Sequence, residues 1–472
     1  MRSYKYEVFT AILEQQIRKG ILIEGERLAS VREIKNKYSL STSSVQSGFE
    51  YLMMKGLVKS SPRSGYFVAC IQDMNVSKVK TDLLPVVRDT AFAENVMLTS
   101  ARNKPSESNS FNTAAPGDLL IPQKLILRTM QEVIREKGAA LLRYYPSNGL
   151  PELRKYISLH AASHGSLLNP EEIIITDGAL QALTVALRAV TDPGDIVAVE
   201  SPSVFSTLEA IANLGLKMIE IPIHYENGFD TEYFRKICIS NKIKAVIVTP
   251  NFHNPTGIVM TDDAKEELLK AAVSFQVPVI ENDIYGDLYF GEKRPRSIKS
   301  FDDSGLVMTY SSFSKTLAPG IRLGWLHTGR FYSRSERARF IMGRSVSPIY
   351  QELMLKLLQG NSYHRHLRSF RKHLNRQALE VLNTLRRYFP EDSYFHTPQG
   401  GYSIWGRLPE KTDMKSFFNF CNQNKILFTP GNTFSLTGEY DHHFRIVFAD
   451  RITEESLILL ESAGKKAKEL AR

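Results

Sequence analysis

The sequence predicts a multidomain protein, in which a small unit of helices and a hairpin precedes a much larger α/β domain. Three observations predict this. The 472 residues exceed what one compact core holds. From about residue 111, short apolar runs alternate with amphipathic stretches, which is typical of a parallel sheet with covering helices. Of the net charge of +10, half lies in residues 1–70, which hold 11 Lys and Arg against 6 Asp and Glu.

Residues 1–70 predict the small unit. Apolar residues at Phe9, Leu13 and Ile17 recur every four positions, which indicates a helix. A second short helix is predicted after Ser30, because serine is a preferred helix cap. A third helix begins in the stretch SLSTSS, and two β-like runs joined by SSPRSG come last. Helix, helix, helix and hairpin is the order of a winged helix-turn-helix.

Residues 71–110 are predicted to be a linker. They carry few periodic apolar residues and many Ser, Asn and Lys. A short helix is predicted within them, around residues 83–98.

Residues 111–472 predict the large domain. Its strands are the apolar runs in EIIITDG, DIVAVESP, KAVIVTPN, VPVIEND and LVMTY. Long helical patterns dominate after about residue 335. We therefore expect a large subdomain over about 130–335. A smaller α/β subdomain should span about 336–472 together with part of 111–130.

Some classes of protein are disfavoured. The three cysteines, Cys70, Cys238 and Cys421, lie far apart, so they predict neither a disulfide framework nor a metal site. The N-terminus lacks a signal-peptide core, and no apolar run approaches 18 residues. We expect a cytoplasmic protein with no membrane partner and no bound metal.

The first 70 residues resemble the GntR family of winged-helix regulators. The resemblance rests on ERLASVREI, SLSTSSVQSGFEYLMMKGLV and PRSGYFVA. It implies binding of a double-stranded DNA operator, with a recognition helix in the major groove. The implied DNA-binding residues are Arg32, Thr42, Ser43, Ser44, Gln46, Arg63 and Gly65. Ala29 stands where the family usually has proline. A protein-binding role for the winged helix is the alternative.

The large domain resembles fold-type-I, pyridoxal-phosphate-dependent aminotransferases. The most specific motif is SSFSKTLAPGIRLGW, at 311–325. A lysine that attacks an aldehyde must be near-neutral, which a desolvated, cation-rich pocket achieves. The resemblance implies that Lys315 is the Schiff-base lysine for pyridoxal 5'-phosphate, and that Ser312, Ser314 and Arg322 bind the phosphate.

Other motifs follow in the family's order. Asp283 is implied to pair with the pyridine nitrogen, Tyr285 and Asn254 to contact the ring oxygen, and Arg445 to bind an effector carboxylate. At position 204, Val204 replaces the usual ring-stacking aromatic residue, and Phe205 is the alternative. The remaining implied phosphate ligands are Gly178, Ala179 and Leu180, plus Tyr144 (or its neighbour Tyr145) from the other subunit of a dimer.

The domain order resembles the MocR subfamily of GntR-type regulators. It implies a DNA-binding transcription regulator whose aminotransferase-like domain senses an amine, an amino acid or pyridoxal phosphate through Lys315. The subfamily also implies a domain-swapped homodimer. The alternative is a functional aminotransferase with an appended autoregulatory DNA-binding domain, and half-transamination of an amino acid is chemically permitted.

Overall fold

The structure is a computed structural model that describes residues 7–18, 21–61, 64–69, 86–89, 111–225 and 228–471. Contacts between residues divide the chain into two compact units, Met1–Lys78 and Val79–Arg472. None of the helices in the described ranges is both long enough and apolar enough to cross a membrane.

The N-terminal unit has three helices and a hairpin around one apolar core. Its elements are α1 (Glu7–Arg18), α2 (Val31–Tyr38), α3 (Thr42–Met54), β1 (Val58–Ser61) and β2 (Gly65–Val68). The predicted stripe on α1 is confirmed, since Phe9 and Ile17 are buried. Ser30 caps α2 as predicted: its hydroxyl accepts the Glu33 N–H, and the Glu33 carboxylate accepts the Ser30 N–H.

The hairpin is anchored to the helices by aromatic packing. Val58 lies opposite Val68, and Ser61 lies opposite Gly65, in the antiparallel pair of β1 and β2. The ring of Tyr66 stacks on Phe49 of α3 with a centroid separation of 3.9 Å. This contact fixes the hairpin against the third helix.

The large unit is built on a predominantly parallel sheet, as predicted. Its strands are β3 (Arg88–Asp89), β4 (Ile173–Thr176), β5 (Ile196–Ser201), β6 (Lys217–His224), β7 (Gly228–Phe229), β8 (Ile243–Val248), β9 (Val279–Asn282), β10 (Val307–Ser312) and β11 (Gly324–His327). They lie in the order β3-β6-β5-β8-β9-β10-β11-β4, with β7 beside β6. Five neighbouring strands, β6, β5, β8, β9 and β10, are mutually parallel, while β3, β7 and β11 pair antiparallel with their neighbours.

Helices cover both faces of this sheet. They are α4 (Gln123–Lys137), α5 (Pro151–Ala162), α6 (Ala179–Val190), α7 (Phe205–Asn213), α8 (Thr231–Ser240), α9 (Asp262–Phe275) and α10 (Tyr332–Ile341). Leu183 of α6 and Leu208 of α7 pack with Ile280 of β9 in one core, on the face we call the front face. Phe234 of α8 and the strand residue Val279 belong to another core, on the opposite back face.

The C-terminal part forms a second, antiparallel sheet with its own core. Its elements are α11 (Pro348–Gln359), α12 (Ser362–Tyr388), β12 (Tyr394–Phe395), β13 (Ser403–Arg407), α13 (Met414–Gln423), β14 (Thr429–Pro430), β15 (His443–Val447) and α14 (Glu454–Leu470). The strand order is β12-β13-β15-β14. Phe417, Phe428 and Phe444 pack together here, and the register places Arg445 opposite Trp405 and Thr429.

One expectation about residues 71–110 is wrong where the structure describes them. The short helix predicted around 83–98 is absent at Arg88–Asp89, which is the edge strand β3 paired with Met218 and Lys217 of β6. The Arg88 guanidinium also lies 3.8 Å from the buried Glu220 carboxylate. This segment therefore adds a strand to the large sheet, while 71–85 and 90–110 lie outside the described residues.

Candidate functional site

Lys315 lies in the loop that follows β10, at the C-terminal ends of the parallel strands. It is half-buried, and its ammonium donates to the carbonyl of Ala114. Burial, followed by the nearby charges of Arg445 and Arg322, lowers the pKa of Lys315 to about 8. The lowered pKa leaves a larger fraction of its amine neutral, and nucleophilic, near pH 7 than in an ordinary lysine.

Arg445 brings a second cation to the same place from the small sheet. Its side chain is buried, and its Nη1 donates to the Asn254 Oδ1 at 2.9 Å. Its Nη2 donates to Thr429, while its Nε is buried without a hydrogen-bond partner. Burial raises the pKa of the Tyr285 hydroxyl to about 12, and the Arg445 charge and the Asn254 side chain oppose this. Arg445, Asn254 and Tyr285 thus form one contiguous group.

The third cation, Arg322, lies beside the N-terminus of α6. Its exposed guanidinium donates to the Asp177 carbonyl at 3.0 Å, directly before α6. Gly178, the N-cap of α6, has φ +81°, and a Cβ there would lie 2.6 Å from the Arg322 Nη2. The positive φ favours glycine here, and a Cβ would displace the Arg322 guanidinium from this position. Ser312 and Ser314 are buried nearby in sequence, with their hydroxyl oxygens 2.9 Å apart.

The start of α6 offers free backbone N–H groups beside Arg322. Ala179 and Leu180 are its first residues, and Leu180 is 50% exposed. A helix N-terminus with an adjacent arginine attracts phosphate. We call Lys315, Arg322 and Arg445 the cation cluster. Among the described residues, no carboxylate lies within ion-pair distance of any of the three.

Val204, Tyr144 and Tyr145 differ in their exposure and in their contacts. Val204 is half-buried and precedes α7, which Phe205 begins. Tyr145 donates to the Glu352 carboxylate at 2.7 Å, so its hydroxyl is occupied within the chain. Tyr144 is 72% exposed, with the Arg344 guanidinium 4.4 Å from its ring centroid. Its hydroxyl is thus the more accessible of the two.

Asp283, for which the sequence predicts a contact with the pyridine nitrogen, has a protein partner in the structure. Its carboxylate pairs with the buried guanidinium of Arg294. Both residues line an internal cavity that is also lined by His160 and Asp287, whereas Lys315 is absent from its lining. The physical reason is that successive side chains of a strand point to opposite faces of the sheet. Asp283, two residues after Glu281, therefore points to the same back face as Glu281.

Contacts of Glu281 support this assignment. It accepts hydrogen bonds from the Ile298 and Lys299 backbone N–H groups and from the Thr309 hydroxyl, all on the back face. Burial, and then the Asp283 charge, raise the pKa of Glu281 to about 7, which requires the two carboxyls to be close. Asn282, one residue before Asp283, points to the front face instead. The sequence motifs did not identify it.

Arg294 was also missed by the sequence reading. Burial alone lowers its pKa, but the Asp283 and Asp287 carboxylates outweigh burial and raise it. His160, His164 and Asp287 place ligand atoms within 4.8 Å of one another, a grouping that the sequence did not predict. Because Arg294 also bonds Asp287, at 2.9 Å, a positive charge already occupies this grouping.

In the N-terminal unit, the predicted DNA-contacting side chains are mostly exposed. They are Arg32, Thr42, Ser43 and Gln46, with Gly65 half-buried at the start of β2. Ser44 is half-buried, and its hydroxyl lies 2.8 Å from that of the N-cap Ser41. Helix capping therefore engages Ser44. Arg63 lies outside the described residues.

Comparison with known proteins agrees with both parts of the chain. A family model described as Aminotransferase class I and II matches residues 115–462. An uncharacterized HTH-type transcriptional regulator of Escherichia coli (strain K12), YjiR, is 32% identical, over 98% of each chain. The HTH-type transcriptional regulator NorG of Staphylococcus aureus (strain USA300) is 26% identical over 90% of this chain and 95% of its own.

Solved structures match the large domain. The kynurenine aminotransferase of Pyrococcus horikoshii superimposes with a TM-score of 0.75 at 26% identity, covering 80% of this chain and 95% of its own. LysN, the alpha-aminoadipate aminotransferase of Thermus thermophilus, gives a TM-score of 0.72 at 26% identity, covering 77% and 92%. The chain therefore belongs to the aminotransferase class I and II family, in the MocR branch of GntR-type regulators that join such a domain to an N-terminal helix-turn-helix.

Proposed function

We propose that this protein is a pyridoxal-phosphate-dependent transcription regulator. Its N-terminal unit binds double-stranded DNA, and its large domain senses an amine, an amino acid or pyridoxal phosphate through Lys315. The observation that carries the proposal is the cation cluster around a lysine of lowered pKa, in a chain whose curated relatives are HTH-type transcriptional regulators over nearly their full length.

The residues present fit pyridoxal phosphate. The orphaned Nε of the buried Arg445 calls for an acceptor, and the cation cluster calls for anionic groups. The cradle at Gly178, which a Cβ would fill, leaves room beside the α6 N-terminus. The two solved relatives were crystallised with PMP and with N-(5'-phosphopyridoxyl)-L-leucine. Both contain the pyridoxal skeleton.

Each residue then has a defined task. The phosphate is held by Ser312, Ser314, Arg322 and the first N–H groups of α6. Asn254 and Tyr285 contact the ring oxygen. Val204 covers one ring face, without the roughly 0.5–1.5 kcal/mol that aromatic stacking contributes. When bound, the cofactor supplies an aldehyde that links covalently to an amine.

In this proposal, Lys315 and Arg445 recognise the amine and the carboxylate of the effector. Lys315 would hold the cofactor aldehyde through its neutral amine, and once released it would accept a proton. Arg445 pairs with the carboxylate of an amino acid, which distinguishes amino acids from simple amines. Loss of the lysine link and gain of the arginine contact are the local changes that bias the domain's conformation.

The regulator works as a homodimer in this proposal. Residues 1–70 form the DNA-binding domain, 71–110 the linker with its added strand β3, and 111–472 the effector domain with large and small subdomains. Tyr144 reaches the phosphate of the partner subunit, a role its exposure permits. The DNA-binding unit of one subunit packs on the effector domain of the other.

A working aminotransferase is the second candidate, favoured by the presence of Lys315, Asn254, Tyr285 and Arg445 in one site. Sustained turnover with an amino acid and a keto acid separates the two. Turnover at a rate typical of enzymes, about 10 per second, would support the enzyme and count against the regulator.

Sensing is tested by titrating amino acids and amines while recording cofactor absorbance and DNA binding on the same samples. We expect an effector to change both signals in the wild type and neither in Lys315→Ala. An effector that changes absorbance and leaves DNA binding untouched at every concentration would contradict the regulator.

DNA binding is tested by salt dependence on a duplex of random sequence. Arg32→Ala should reduce the slope of log affinity against log salt by about one, as expected for one lost phosphate contact. The control is Lys468→Ala, an exposed lysine on α14 of the large unit, which should leave the slope unchanged. An equal effect of both variants would remove the assignment of Arg32.

A further inference from the structure

We propose that Asn282, and not Asp283, meets the pyridine nitrogen of the cofactor, and that this nitrogen carries no proton. The inference rests on the proposed function, because it concerns the same site. It deepens that function by giving a chemical reason why the site senses amines rather than turning them over.

The first step concerns the direction of Asn282. It pairs in the parallel register with Tyr310 of β10, so the two side chains share a face. Tyr310, Ile280 and Met308 belong to the front-face core, with residues of α6 and α7. Those two helices begin at Gly178 and after Val204, at the proposed phosphate and ring positions. Asn282 therefore points to the face on which the cofactor would lie.

The second step concerns the atoms that Asn282 presents. Its Oδ1 accepts the Ile284 backbone N–H at 3.2 Å, which identifies this atom as the oxygen. Its Nδ2 has no hydrogen bond to any described residue. An amide NH₂ is a donor only, and a pyridine nitrogen can accept a hydrogen bond only when it lacks its own proton.

The third step removes the carboxylate. Asp283 pairs with Arg294, and a Cβ on Gly286 would lie 2.3 Å from its Oδ1, so the carboxylate is packed in on the back face. It cannot turn to the front without leaving the buried Arg294 unpaired on that side.

The fourth step is the electrostatic field. The charges that shift the pKa of Lys315 are both cationic, those of Arg445 and Arg322. The same positive field disfavours a protonated ring nitrogen. With an amide donor beside it and, among the described residues, no carboxylate paired with the cation cluster, the ring nitrogen stays neutral, and a neutral ring is a weak electron sink. The exchange of amines at Lys315 does not need that sink, whereas proton abstraction from the amino acid does.

The experiment measures ring-nitrogen protonation directly. Full-length protein is loaded with pyridoxal phosphate labelled with ¹⁵N in the ring, and the nitrogen chemical shift is recorded. We expect the neutral-pyridine shift in the wild type and in Asp283→Asn. Asn282→Asp should move the shift to the pyridinium value while keeping the absorbance band of the Lys315 link.

The outcomes separate this inference from the proposed function. A protonated nitrogen in the wild type that loses its proton in Asp283→Asn would overturn the inference and reinstate Asp283. A wild type that takes up no cofactor at all would overturn both proposals. Because the decisive reading is made on the wild type, poor folding of either variant leaves the test valid.

Discussion

The charged side chains on the two sides of the sheet, near the end of β9, differ in whether they are paired. On the back face, the buried Asp283, the half-buried Asp287 and Arg294 neutralise one another through hydrogen-bonded ion pairs. On the side of the α6 N-terminus, the cation cluster has no carboxylate partner among the described residues. Buried charge is costly unless it is paired, so the paired set can be structural, while the buried Arg445, whose Nε has no partner, calls for an anionic ligand.

The largest effect should come from removing the lysine. Lys315→Ala should abolish the covalent link completely, because no other side chain of the cluster is a nucleophilic amine. Borohydride trapping followed by mass measurement checks this. The matched control is Lys299→Ala, a back-face lysine that pairs with Asp302, which should retain the link. A trapped link in Lys315→Ala would place the attachment elsewhere.

A pair of arginine variants tests the contrast between the faces. Arg294→Ala should lower the free energy of unfolding by about 3–5 kcal/mol, because it leaves buried carboxylates unpaired. Arg322→Ala, an exposed arginine, should change it by no more than about 0.5 kcal/mol but weaken cofactor binding. Urea unfolding without cofactor and absorbance titration with it measure the two quantities. Equal stability losses in the two variants would break the distinction.

Arg445→Gln should weaken binding of amino-acid effectors by about 1.5–3 kcal/mol, or roughly 10- to 150-fold, since a charge-assisted contact is lost. An amine of the same carbon skeleton without the carboxylate serves as the control and should bind with little change. Absorbance titration of both ligands measures this. A similar loss for both would show that Arg445 does not read the carboxylate.

The smallest effect is a shift in pH dependence. The rate of cofactor attachment should rise with pH and level off above about 8, because the neutral form of Lys315 is the nucleophile. Arg445→Gln removes a cation that lowers this pKa, so the midpoint should move to higher pH. Stopped-flow absorbance across this range measures the midpoint. A midpoint that moves to lower pH would contradict the electrostatic account.

Much of this site could be predicted from short sequence strings. The run LVMTY predicted a strand, and Lys315 does lie in the loop that follows this strand, β10. The five apolar runs correspond to β4, β5, β8, β9 and β10. These features are local, because they depend on hydrophobic periodicity and on residues close together in the chain.

The pairing of Asp283 could not be read in this way. Its partner Arg294 is 11 residues away, and a shift of one residue along β9 changes the face. Strand parity, counted from the buried Glu281, was the signal that could have found Asn282. The edge strand β3 was also missed, because two residues carry no periodic pattern.

The sequence by itself determined the family and the order of the two units, and it predicted Lys315 as the reactive lysine, since these depend on motifs that are contiguous in the chain. Only the tertiary structure decided which polar residue at the end of β9 lies on the front face and which pairs with Arg294. That choice depends on the register of β9 against β10 and on which helices cover each face, and both are set by packing between distant segments.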